Sequence, residues 1–145
     1  MRDLPRQLSA DELAELFEGR TRLVELLAAR EHPLEAAPEA IAELTEAEKL
    51  EALNAHPAIG ARDLSARSAE EQGLDADPVV LTELAYLNQV YEEKFGFRFV
   101  VFVNRRPKLE ILEVLRTRLE RVREQEVETA LSELVAIARD RWERS

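Results

Sequence analysis

"FGFRFVVFVN", residues 95–104, is the stretch of this chain that decides the fold, because it breaks the helical period found everywhere else. It is aromatic and β-branched, the composition of a strand. A lone strand has nothing to pair with, and no second strand-like run occurs in the sequence. The segment therefore reads as an extended, largely buried connection near residues 97–104, running between helices. Such a connection leaves backbone N–H and C=O groups in need of partners, and a bound ligand can supply some of them.

Working outward, the sequence on both sides is helical. Asp77 and Pro78 form an N-cap and first-turn pair that opens "PVVLTELAYLNQVYEEKF". Val80, Leu84, Leu87 and Tyr91 fall on one face of it, and Gly96 is placed to cap its end. Pro107 starts another helix, with Leu112, Leu115, Leu119 and Val122 spaced as a buried stripe. A last helix runs from about Glu124, with Val127, Leu131, Leu134 and Ala138 inward. Toward the N-terminus, Ser9-x-x-Glu12 is a capping box for a helix through about Phe17, and Thr45-x-x-Glu48 is a second. "RTRLVELLAAR" gives a helix between them, stopped by "EHPLEAAP". The helix opened by Thr45 must end before Pro57. The expected architecture is an all-α, single-domain bundle of roughly seven or eight helices spanning residues 1–145.

Composition narrows the function. Hydrophobic residues make up 46% and charged residues 34% of the 145, which is globular rather than disordered. A net charge of −10 argues against nucleic acid as a partner, since phosphate binding needs a basic face. It also means that an anionic substrate needs a local cation. There is no apolar leader and no run of about 20 apolar residues, so no membrane role is expected. The absence of cysteine suits a reducing compartment, and a cytoplasmic setting is expected. Two histidines without cysteine make a poor metal site, so no metal is expected.

The residues that carry chemistry gather where two helices meet. His56 ends one helix beside Pro57, at the negative end of the macrodipole, which favours the imidazolium. The plain alternative is a histidine that merely stabilises the helix terminus, and position alone favours it. Ser68, Glu71 and Gln72 form the next cluster. Ser68-x-x-Glu71 is also a good capping box, and a first-turn glutamate stays ionised there. Gln72 offers both donors and an acceptor suited to a ureido or carbonyl group. Arg118 and Arg141 lie beside apolar stripes, where a guanidinium can bind a planar carboxylate as a fork.

His56-Pro57, Ser68-x-x-Glu71-Gln72, "LNQVYEEKFGFRFVVFV" and Ile137-x-x-x-Arg141 occur in this order, and together they resemble the OHCU decarboxylases. The resemblance covers nearly the whole chain. It implies an all-helical homodimer that decarboxylates 2-oxo-4-hydroxy-4-carboxy-5-ureidoimidazoline to (S)-allantoin without a cofactor, in uric acid degradation. It implies His56 as the catalytic histidine, with Glu71 and Arg141 beside it. Pro57, Ser68, Gln72 and the run Phe99, Val100, Val101, Phe102 and Val103 would contact a small ureide substrate. Arg141 is preferred to Arg118 on this ground. Asp140 departs from the family pattern, and an ion pair there would tune Arg141 or lie on the outer face. Two alternatives stay open: a non-catalytic acidic helical interaction module, and a paralogue acting on another ureide.

Overall fold

The computed structural model describes residues 3–57 and 77–145. Among them are seven helices and no strand. The first is α1 (Ala10–Phe17), where Ser9 Oγ accepts from the Glu12 N–H at 3.1 Å and Glu12 accepts from the Ser9 N–H at 3.0 Å. Then come α2 (Arg22–Ala28), capped by Thr21, and the short α3 (Ala37–Ala42). The helix α4 (Glu46–Asn54) is opened by the Thr45–Glu48 box. Beyond the undescribed stretch lie α5 (Pro78–Phe95), α6 (Lys108–Leu119) and α7 (Arg123–Arg144). Helix α7 packs against both α1 and α4, and α5 packs against α6.

Three details differ from expectation. Helix α3 falls within and beyond "EHPLEAAP", which reads as a stop. It is six residues long with no side-chain cap, and it owes its place to Ala37 and Ala40 packing into the core. A turn held by tertiary packing leaves no period to detect. On α5 the buried face is Leu84, Asn88, Tyr91 and Phe95, with Val80 and Leu87 at its margin. Val122 is 57% exposed rather than part of a stripe, because α6 ends at Leu119 and Val122 becomes the N-cap of α7.

After a bend at Gly96 and Phe97, residues 98–103 run as an irregular extended segment that pairs with no strand among the described residues. Tyr91 anchors them, its ring centroid lying 5.8 Å from Phe97 and 5.2 Å from Phe99. The segment ends in a tight turn. Asn104 and Arg105 both take positive φ (49° and 60°), and the Arg106 N–H donates to the Val103 carbonyl at 3.0 Å. That is the pattern of a type I′ turn.

Gly96 joins α5 to this segment at φ 82° and ψ 14°. A Cβ there would meet nothing within 4 Å, so its requirement is conformational alone. Gly96→Ala is expected to cost about 1 kcal/mol through the left-handed backbone. Thermal and urea unfolding followed by circular dichroism measure this, and unchanged stability would show that residue 96 leaves that region at no cost.

Candidate functional site

His56 follows the C-cap of α4, and its N–H donates to the Leu53 carbonyl at 3.2 Å. The side chain is buried, and Nδ1 has no hydrogen-bond partner among the described residues. Arg98 holds this turn from the extended segment. Its backbone N–H donates to Asn54 Oδ1 at 3.0 Å, and its Nη1 donates to the His56 carbonyl at 2.9 Å.

The imidazole is pushed down to about 4 from its ordinary value of 6.5. Burial is the largest cause, followed by the Arg141 charge; Glu18 opposes both, and Arg98 adds a smaller lowering. The sequence expectation of an imidazolium favoured by the helix end is therefore corrected. A helix terminus contributes at most about 1 kcal/mol at an exposed site. Desolvation beside guanidinium groups outweighs that, and Arg98 already answers a carbonyl at that end.

Arg141 comes from the C-terminal part of α7 and is 2% exposed. Its Nη1 donates to the Leu16 carbonyl at 3.0 Å and lies 3.1 Å from Glu18 Oε1. Leu16 is in the last turn of α1, so its carbonyl has no partner within the helix. Arg141 is thus a buried cation on the negative end of α1, with His56 in its field. Asp140 pairs with Arg144 instead. Its Oδ2 lies 2.9 Å from Arg144 Nε, an ion pair by distance whose angle falls short of a hydrogen bond.

The extended segment alternates. On residues 98, 100 and 102 the backbone is engaged by side chains. The Arg98 N–H meets Asn54, and the Val100 carbonyl accepts from Arg118 Nη1 at 2.6 Å. The Phe102 N–H donates to Glu133 Oε1 at 3.3 Å, and its carbonyl accepts from Arg106 Nη2 at 2.6 Å. Phe99 and Val101 make no backbone hydrogen bond among the described residues, although both are buried. Successive residues of an extended chain present their polar groups to opposite edges. One edge is therefore filled by protein side chains, and the other meets no hydrogen-bond partner among the described residues.

Arg118 is buried as well. Its Nε donates to Glu126 Oε1 at 2.8 Å, and its guanidinium carbon lies 4.6 Å from the Phe99 ring centroid. Glu126 also accepts from the Tyr91 hydroxyl at 2.5 Å and from Arg121 at 3.0 Å. Burial, then the hydrogen bond to Glu126, pushes the Tyr91 phenol well above its ordinary range, so it remains a donor.

The structure thus brings His56 within the field of Arg141 and joins the His56 turn to the extended segment through Arg98. Pro57 follows, half-buried. Phe99, Val100, Val101 and Val103 are buried and Phe102 is half-buried. Ser68, Glu71 and Gln72 lie outside the described residues. Sequence reasoning missed Arg98, Glu133 and the Tyr91–Glu126 pair. For Arg98 there was a signal: a lone cation inside an aromatic run. Among the described residues no group of three metal-ligating side chains occurs.

Residues 2–143 match the OHCU decarboxylase family, and the chain belongs to it. A 2-oxo-4-hydroxy-4-carboxy-5-ureidoimidazoline decarboxylase of Halalkalicoccus jeotgali is 35% identical over 108 residues, 71% of this chain and 61% of its own length. A uric acid degradation bifunctional protein of Bacillus subtilis is 35% identical over 98 residues, 64% of this chain but 20% of its own. The chain therefore spans about three fifths of the first of these curated relatives and one fifth of the second. In fold it resembles a crystal structure of OHCU decarboxylase in the presence of (S)-allantoin, with a TM-score of 0.75, 24% identity, and coverage of 90% of this chain and 94% of that one.

The histidine generates a stability prediction. A folded-state value near 4 lies below the unfolded value of 6.5, so the unfolded chain takes up the proton first as pH falls. His56 thus contributes stability above pH 6.5 that is lost as pH drops from 6.5 toward 4, on the order of 3 kcal/mol. His56→Asn should flatten that part of the pH dependence in urea unfolding between pH 7 and 4.5. An equally steep loss in the variant would assign it to other groups.

Proposed function

We propose that this chain decarboxylates 2-oxo-4-hydroxy-4-carboxy-5-ureidoimidazoline to (S)-allantoin in uric acid degradation, without a cofactor. The observation that carries this reading is the buried His56, held neutral beside Arg141, with Nδ1 unpartnered among the described residues. Family membership supplies the substrate class.

The chemistry suits a neutral base. Loss of CO2 sends an electron pair into the ring imine, giving an enol whose ring nitrogen is anionic. To reach allantoin that nitrogen takes one proton from solvent, while the enol hydroxyl gives up a proton and the adjacent carbon gains one. A neutral imidazole can do both in turn, taking the hydroxyl proton and returning one to a single face of the carbon. This corrects the picture of a resident imidazolium that only donates. Arg141 lies in the field where carboxylate and then ring charge sit, and it stabilises both. The open edge at Phe99 and Val101 supplies N–H donors to the imidazoline and ureido oxygens. Glu71 orients the hydroxyl or the imidazole, and Ser68 and Gln72 bind the ureido group beside Pro57; these assignments rest on the resemblance. Val100, Phe102 and Val103 complete the wall. The proposed setting is cytoplasmic, on the cysteine-free composition. Among the described residues no helix is long and apolar enough to cross a membrane.

Adding the purified chain to freshly generated substrate, with circular dichroism as readout, tests the proposal. Optically active allantoin should form, and His56→Asn should lower the rate by about 10²–10⁴-fold and yield racemic product. A wild-type rate in the variant removes His56 from the mechanism. No turnover by the wild-type chain, or preference for another ureide in a substrate panel, replaces the reading with one of its two alternatives.

We also propose two copies in solution, the arrangement that the family resemblance implies. Sedimentation at micromolar concentration should give the mass of a pair, and the mass of one chain would overturn it.

A further inference from the structure

The alternation along residues 98–102 has a physical cause, and it lies behind the segment rather than in the site. In a trans peptide the C=O of one residue and the N–H of the next point in opposite directions. Whatever fixes the Val100 carbonyl therefore also aims the Val101 N–H. That carbonyl is fixed by Arg118 Nη1 at 2.6 Å. Arg118 is itself held on three sides: by Glu126 at Nε, by the Phe99 ring against its face, and by the Val100 oxygen. Glu126 is 0% exposed and is locked in turn by Tyr91 and Arg121.

This cluster is poorly designed for stability alone. Arg118 Nη2 is buried with no partner among the described residues, which leaves one cationic N–H₂ group unsatisfied. Buried ion pairs often gain no stability over apolar residues of similar volume, and an unsatisfied donor makes the balance worse. What the arrangement does supply is direction. A planar fork with one arm on a carboxylate and another on a backbone carbonyl sets the angle of a peptide plane in a way a lysine cannot.

We propose that Arg118 is a positioning residue: anchored by Glu126 and Tyr91, it fixes the Val100–Val101 peptide plane so that the Val101 N–H is presented at the open edge as a donor to the substrate. The kinetic part of this proposal rests on the decarboxylase reading; the orientation of the peptide does not.

Two variants test it, each checked for folding by thermal melting. Arg118→Lys keeps the charge opposite Glu126 and loses the fork. Arg118→Met with Glu126→Gln removes both charges, so no buried ion is stranded if the lysine variant fails to fold. The backbone N–H of Val101 is followed by NMR, where its residual dipolar coupling reports the orientation of the bond. In folded variants this coupling should change while those of α7 stay fixed. With substrate, kcat should fall roughly 10- to 100-fold with KM moving far less, and the excess of the (S) product should shrink. A merely structural role would lower the melting temperature without changing kcat or the product's handedness in the folded enzyme. A folded variant that retains the Val101 coupling, or the wild-type kcat and product purity, overturns the proposal. If the wild-type chain makes no allantoin, the function falls, and the substrate-free NMR comparison alone decides the role of Arg118.

Discussion

An extended segment with no sheet to join among the described residues is the constraint around which this molecule is arranged. Each of its buried residues brings an N–H and a C=O that need partners, and a buried one left unmade costs about 1–3 kcal/mol. In a β protein a neighbouring strand on each side would answer the two edges. Here arginines do part of that work: Arg118 on the Val100 carbonyl, Arg106 on Phe102 and Val103, and Arg98 on the neighbouring His56 turn. Glutamate and asparagine answer the N–H groups, through Glu133 and Asn54. Over residues 98–102 these partners sit on one edge, and Phe99 and Val101 on the other make no backbone hydrogen bond among the described residues.

The same device recurs at the helix ends. Arg141 on α7 reaches the last turn of α1, and Arg98 reaches the end of α4. Both are cations at the negative end of a helix dipole, the favourable pairing. They also converge on His56, whose proton affinity each of them lowers. Tying two helix termini together and holding a histidine neutral are therefore one arrangement. Moving either arginine would loosen the packing and retune the imidazole at once.

Much of this was legible in sequence, for stated reasons. Capping boxes at Ser9 and Thr45, the Asp77–Pro78 start and the Gly96 stop are local chemistry, and each appears where expected. The absence of a second strand-like run told correctly against a sheet. Helix α3 escaped because its stability is tertiary. The protonation state of His56 escaped for a related reason: a helix dipole can be read from the chain, whereas burial beside Arg141, 85 residues later, cannot. Arg98 and Arg118 looked like two arginines among many. Only the path of the backbone shows which carbonyls they hold.

The depressed proton affinity of His56 has a further consequence for the proposed reaction. Its causes are burial and a guanidinium, and a substrate that carries a carboxylate changes the second. An anion entering the field of Arg141 offsets that charge, so the imidazole binds a proton more readily with substrate in place than without it. An empty site thus keeps His56 neutral and ready to act as a base. A filled one makes it better able to hold the hydroxyl proton for the interval before carbon takes it. Once CO2 departs, negative charge remains on the ring, and the same offset persists until protonation discharges it. Timing then follows from electrostatics already present in the fold, with Glu18, paired with Arg141, opposing the guanidinium's effect on the histidine.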